Sequence, residues 1–191
     1  MSQRIHRLQR TALAAVATGV VVAAVASTAV AANVTATATV SAGSLSLSTS
    51  AAPSVSVTLD GTDKTPTYTL PMTITDSTGS GNGWNVTVTS TTFSTGGGSP
   101  KTLSTSASTV TGVVSSCAGG ATCTSPTNSI GYPLGVPAGA TAPTAVKLFN
   151  AAASTGLGGF TVTPTVQVGI PANTFAGTYT STVTVATVSG P

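Results

Sequence analysis

A two-residue alternation of apolar and polar side chains runs through most of the chain after Asn33. The polar position is usually Thr or Ser, and the apolar position is often β-branched. Successive side chains of a β-strand point to opposite faces, so this pattern predicts strands with one buried and one solvent face. The pattern is clearest in seven segments: Val34–Val40, Leu45–Leu47, Val55–Leu59, Tyr68–Ile74, Trp84–Val88, Phe160–Val168 and Tyr179–Val185.

Glycine- and proline-rich turns separate these segments, for example Asp60-Gly61, Gly79–Gly83, Gly96–Gly98 and Gly119-Gly120. Eight to ten short strands in 191 residues predict an all-β fold, an antiparallel β-sandwich. Proline cannot donate to a sheet ladder, so strands with proline in or beside them are predicted to lie at edges or to carry bulges. These prolines are Pro53, Pro66, Pro71 and Pro164.

Two stretches lack a clear pattern. Ala145–Ala153 fits a short strand or one helical turn equally well. Ser99–Ser129 is predicted to be a long excursion or a ragged strand pair.

The first 32 residues have the features of a secretory signal peptide, with a signal helix expected ahead of the sandwich. Three arginines precede an uncharged, Ala- and Val-rich run that ends in small residues. We expect cleavage between Ala32 and Asn33, which leaves one domain over residues 33–191. The alternative is an uncleaved anchor, since about 20 apolar residues can span a bilayer. The leader and the Ala/Thr/Gly/Val bias suggest a Gram-positive source.

Charge is scarce, at 5% of residues, and all of it except three lysines and three aspartates lies in the leader. The mature chain therefore has no net charge, which argues against nucleic-acid partners. It contains no Glu, Arg or His. The chain has no Glu at all, and its arginines and its single His, His6, lie within the first ten residues. General acid–base catalysis, activated nucleophiles and transition-metal sites need such groups, so we expect neither an enzyme nor a cofactor.

Cys117 and Cys123 bracket a small flexible loop. Two cysteines in an exported chain predict a disulfide that pins this loop. The alternative is a redox-active pair, but no Lys, Arg or His nearby would lower a thiol pKa.

The stretch Asp76–Val88 combines an acid, a glycine-rich turn and the only Trp of the chain. Trp84 is predicted to fill the core, with stacking on a wall glycan as the alternative. Asp76 is predicted to cap the backbone of the turn, with a cation or glycan hydroxyls as the alternative. Tyr179 is predicted to pack inward with a hydrogen-bonded hydroxyl, with ligand contact as the alternative.

Three weaker motifs complete the inventory. Asp60 and Asp63 flank a turn, but two carboxylates suit a solvated turn better than a calcium site. Asn33-Val-Thr35 and Asn85-Val-Thr87 match the glycosylation pattern, which we interpret as coincidence in a bacterial protein.

Two motifs resemble those of the WxL domain of Gram-positive cell-surface proteins. They are DSTGSGNGWNV at residues 76–86 and the ending GIPANTFAGTYTSTVTVATVSGP, and the likeness covers most of residues 41–191. Trp84-Asn85-Val86 stands for the first Trp-x-Leu, while Val185 and Thr187 occupy the second, so that motif is absent. The resemblance implies an Ig-like or WxL-like sandwich that is exported and binds the cell wall, through peptidoglycan, without a covalent link.

The ending is also similar to the closing strand of spore-coat-U-type and chaperone–usher pilin domains. Such subunits assemble when one N-terminal strand completes the sheet of the next subunit. The alternating residues 33–40 would suit a donor strand, which predicts self-association as an alternative function.

The sequence thus predicts a secreted, wall-associated adhesion protein with cell-wall glycan or surface proteins as partners. The chain contains no Leu-Pro-x-Thr-Gly sorting signal, so we expect non-covalent retention, with membrane contact only through an uncleaved leader.

Overall fold

A computed structural model describes residues 32–120 and 122–191. Val40–Pro191 forms one compact unit, and residues 32–39 lie outside it. The predicted signal helix therefore lies outside the described residues, except for Ala32 at its end. Within the described ranges, no helix is long and apolar enough to cross a membrane.

The described part of the chain is all-β and has no helix, which confirms the predicted fold class. Ten strands follow in order: β1 Leu45–Ser48, β2 Thr67–Thr69, β3 Met72–Asp76, β4 Trp84–Thr91, β5 Ser108–Cys117, β6 Leu134–Gly135, β7 Ala138–Gly139, β8 Val146–Ala151, β9 Gly158–Val168 and β10 Val183–Ser189. Ala145–Ala153 thus forms a strand and not a helical turn.

The strands form two sheets. The larger has the order β1-β3-β9-β5-β6, with β2 also paired to β9. In the smaller sheet β4 is central, with β10 on one side and β7 and β8 on the other. All pairings are antiparallel except the two-residue pairing of β4 with β7.

The apolar core lies between the sheets, and among the described residues its side chains belong to Val40–Pro191. Its completely buried side chains come from both layers: Ile74, Phe160 and Val162 from the larger sheet, and Trp84, Val86 and Leu148 from the smaller. Tyr68, Leu70, Met72 and Ile74 pack together in it, as the alternation predicted.

Proline interrupts the ladder between β9 and its neighbours. β2 and β3 pair with β9 in one continuous register, separated by Leu70-Pro71. Leu70 donates its N–H to the Pro164 carbonyl at 3.0 Å, and Pro164 has no N–H to return. β9 pairs on both sides and is therefore not an edge strand, but its ladder with β5 has a register shift close to Pro164, which was the other outcome predicted for a strand with proline.

Two predicted strands are absent. Residues 34–40 form no strand and are exposed, with Val34 at 91%. Val55–Leu59 also forms no strand, and Val55 and Val57 are exposed. Both segments alternate correctly, but a strand also needs a neighbouring strand to pair with its backbone, and neither segment has one in the described structure.

Ser99–Ser129, predicted to be a long excursion or a ragged strand pair, contains a long strand at its centre. β5 occupies ten residues there and pairs with β9 along its whole length. A register shift between Val110 and Gly112 changes which side chains face inward, so the alternation is lost although the strand continues.

Stability should be almost independent of pH across the neutral range. After Asn33 the chain contains no His or Glu, and both cysteines are bonded, so it lacks the side-chain types whose ordinary pKa would give a transition near neutral pH. Hydrogen bonds from Lys64 and Thr62 lower the pKa of Asp60, so its small contribution to stability is lost as pH falls through the acidic range. Burial raises the pKa of Tyr68 and of Tyr132, so the unfolded chain ionises first above about pH 10 and stability falls there.

Urea unfolding at a series of pH values measures this profile. A marked change in the free energy of unfolding between pH 6 and pH 7 would contradict the prediction.

Candidate functional site

The turn before β4 is built from glycines with positive φ. Gly79, Gly81 and Gly83 have φ of 65°, 68° and 72°, which L-residues with a side chain rarely adopt. Gly83 is also enclosed, because a Cβ there would collide with the Ala151 carbonyl. The turn therefore packs closely against Ala151 and leads directly into β4. Trp84, the first residue of β4, points into the core.

Trp84 is completely buried between the two sheets. Its ring centroid lies 5.9 Å from that of Phe149 and 6.0 Å from that of Phe160. The indole N–H donates to the Gly156 carbonyl at 2.8 Å, which satisfies its one polar atom. Trp84 is therefore a core residue, and its indole has no exposed surface to stack on a glycan.

Asp76 is buried at the end of β3 and holds the turn together. Its Oδ1 accepts hydrogen bonds from the Thr78 backbone N–H at 3.0 Å and the Thr78 hydroxyl at 2.7 Å. The Thr78 hydroxyl in turn lies 3.0 Å from that of Ser80. These contacts are those of a capping residue, and with only 4% exposure the carboxylate is poorly placed for a ligand.

Tyr179 is half-buried against a small second cluster around Leu103. Its hydroxyl donates to the Phe175 carbonyl at 2.9 Å, four residues upstream. This is the inward packing with a bonded hydroxyl that the sequence predicted. Asp76 and Trp84 lie on one turn, whereas Tyr179 packs in a different cluster, so the three residues do not form one site.

Cys117 and Cys123 are joined by a disulfide, as predicted. Both flanks of the loop pair with the segment that opens β9: Ala118 N–H donates to the Gly159 carbonyl and Thr124 N–H to the Leu157 carbonyl. The bond thus fastens the loop at the end of β5. Ala121, inside the loop, lies outside the described residues.

The carboxylates of Asp60 and Asp63 both bind other groups of the protein. Asp60 pairs with Lys64 at 2.7 Å, and Asp63 accepts the Ala172 N–H at 2.8 Å. Among the described residues, no three His, Cys, Asp or Glu side chains gather into a group that could hold a metal ion.

Sequence reasoning missed one surface feature, the pair Phe175 and Lys101. The Lys101 ammonium lies 4.6 Å from the centre of the Phe175 ring, within the range of a cation–π contact. Phe175 is 64% exposed. The available signal was a single Phe inside the turn-rich stretch Pro171–Gly177, outside any alternating segment.

The class of protein defined so far is a disulfide-bonded, all-β domain with two packed sheets. No family model, curated protein or solved structure matches the chain. The WxL resemblance therefore stays a prediction.

Replacing Trp84 with Ala should destabilise the domain by roughly 3–5 kcal/mol, because it leaves a cavity between the sheets. Phe175→Ala is the matched control, since it also removes an aromatic ring, but an exposed one, and should cost under about 1 kcal/mol. Chemical denaturation of both variants measures the difference. Equal stabilities would contradict the assignment of Trp84 as the core anchor.

Proposed function

We propose that the chain is a secreted, non-enzymatic domain that adheres non-covalently to the bacterial cell wall. The observation that carries this proposal is a surface rich in hydroxyl groups and almost free of charge. Only two of the six charged side chains after Asn33 lie in strands, Asp76 and Lys147, and Asp76 is buried. The solvent faces of the strands instead carry threonines, including Thr67, Thr69, Thr73, Thr111 and Thr184.

Such a surface suits a neutral or weakly charged polymer of sugars. Hydroxyls both donate and accept hydrogen bonds, as sugar hydroxyls do, and a domain without net charge gains little from long-range attraction. A shallow depression of about 360 Å³ beside β1 is lined by hydroxyl-bearing residues, among them Ser48, Thr49 and Ser50, together with the apolar Pro71 and Met72. The leader pattern and the disulfide support export to an oxidising compartment.

The choice of a binding domain over an enzyme rests on the residue inventory. Three lysines and three aspartates are the only ionisable groups of the usual catalytic types after Asn33. Asp60 and Asp63 are engaged with Lys64 and Ala172, and Asp76 with its own turn.

The purified domain from Asn33 should co-sediment with Gram-positive sacculi, and the binding should depend only slightly on salt. Hydrogen bonds and ring contacts are screened much less than ion pairs between exposed charges. Sedimentation at a series of salt concentrations measures both properties. Absence of binding to sacculi from several hosts would contradict the proposal.

One observation favours a second candidate, a surface filament built by strand exchange. Residues 34–40 alternate as a strand should, yet they are exposed and have no partner in the described structure. In the same structure β10 pairs on one side only, which leaves a seven-residue edge without Lys or Pro to protect it. A donor strand from another copy could pair with this edge.

If the protein forms filaments by strand exchange, the substitution Ala36→Lys should abolish polymers, whereas Thr37→Lys should not. The two positions face opposite sides of a strand, so only the first places a charge against the acceptor sheet. Light scattering after gel filtration measures the assembly state. A monomeric parent, or polymers that persist when residues 33–40 are deleted, would eliminate strand exchange through this segment.

A further inference from the structure

We propose that Phe175 and Lys101 form the contact site for an acidic sugar, a pyranose ring that carries a carboxylate or a phosphate. This inference rests on the proposed wall-binding function and assigns the place where it occurs. It moves the glycan contact away from Trp84, Asp76 and Tyr179.

The first argument is exposure. The chain has eight aromatic residues, and seven of them are buried or half-buried. Phe175 alone is exposed, in a protein whose aromatic content is only 4%. A flat, open ring offers an apolar surface on which the C–H face of a pyranose can pack.

The second argument is the availability of a cation over the ring, at 4.6 Å from its centroid. The Lys64 ammonium pairs with Asp60, and the Lys147 ammonium donates to the Pro191 carbonyl at 2.7 Å. In the described part of the structure, the Lys101 ammonium makes no hydrogen bond or salt bridge to the protein, only the contact with the Phe175 ring. Its N–H donors remain free for the oxygens of an anionic group.

The third argument is that both loops are held in place. Thr95 accepts the Lys101 N–H at its hydroxyl and donates its own N–H to the Lys101 carbonyl, each at 2.9 Å. The Tyr179 hydroxyl fixes the Phe175 carbonyl at 2.9 Å. Ser94 then pairs with Thr180 through two backbone hydrogen bonds and so connects the two loops. A site ordered before binding loses less entropy when its ligand arrives.

Together these features define the ligand class. The aromatic ring selects a sugar with an apolar C–H face, and the ammonium over the ring selects a negative substituent on that sugar. Of the three aspartates, Asp60 is paired with Lys64 and Asp76 caps its own turn, whereas Asp63 accepts the N–H of Ala172 on the loop that carries Phe175. In a cell wall the acid could be a carboxylate of peptidoglycan or a phosphate of an attached polymer.

The test measures apparent Kd for purified sacculi, with and without removal of phosphate polymers by hydrofluoric acid. Phe175→Ala should weaken binding by roughly tenfold or more, and Lys101→Ala by roughly three- to tenfold. Lys101→Ala should also abolish the slight salt dependence of the parent. Two matched controls should bind like the parent: Lys147→Ala, which removes the same charge, and Val114→Ala, which shortens a side chain that is 71% exposed.

The outcomes are distinguishable. Parent-like binding by Phe175→Ala and Lys101→Ala would overturn this site but leave wall adhesion intact. An equal loss in Lys147→Ala would show a general charge effect and also overturn it. A parent that does not bind sacculi would overturn both proposals. If binding survives acid stripping, the acid is a carboxylate of peptidoglycan, and if it disappears, the acid is a phosphate.

Discussion

The burial of one indole between two sheets is the contact on which the rest of this fold depends. Trp84 touches Phe149 of its own sheet and Phe160 of the facing sheet, and its N–H is satisfied by Gly156. That carbonyl is reachable because Gly156 has no Cβ, which would collide with the indole. In a protein with few aromatic residues, no other side chain has the volume to fill this space.

The scarcity of charge shapes the surface as strongly as Trp84 shapes the core. With threonine on the solvent faces, the strands stay hydrated through hydroxyls, and the edge at β10 lacks the lysine that usually prevents sheet-to-sheet pairing. The same scarcity of charged residues therefore accompanies two features, the exposed edge at β10 and the unpaired alternating segment before β1. Among the described lysines, Lys101 alone has an ammonium without a hydrogen bond or an ion pair, which is unusual in a surface with so little charge.

Much of the fold was predictable, and the failures have specific causes. The alternation located β1, β3, β4 and β9 and the inward face that Met72 and Ile74 share, because half-buried strands need that pattern. It also predicted strands at residues 34–40 and 55–59, which the structure does not contain. An alternating segment can fit into a sheet, but the pattern does not show whether a neighbouring strand is present to pair with it. It missed β5, where the register shift at Val110 breaks the period.

By itself, the sequence determined an all-β class, a buried Trp84, a capping Asp76 and a disulfide between Cys117 and Cys123. These follow from local chemistry: side-chain periodicity, turn residues, and two cysteines close in the chain. Only the tertiary structure decided which strands pair and which surface groups meet. Phe175 and Lys101 are 74 positions apart and come together because Ser94 pairs with Thr180, a contact between distant segments that no local pattern encodes.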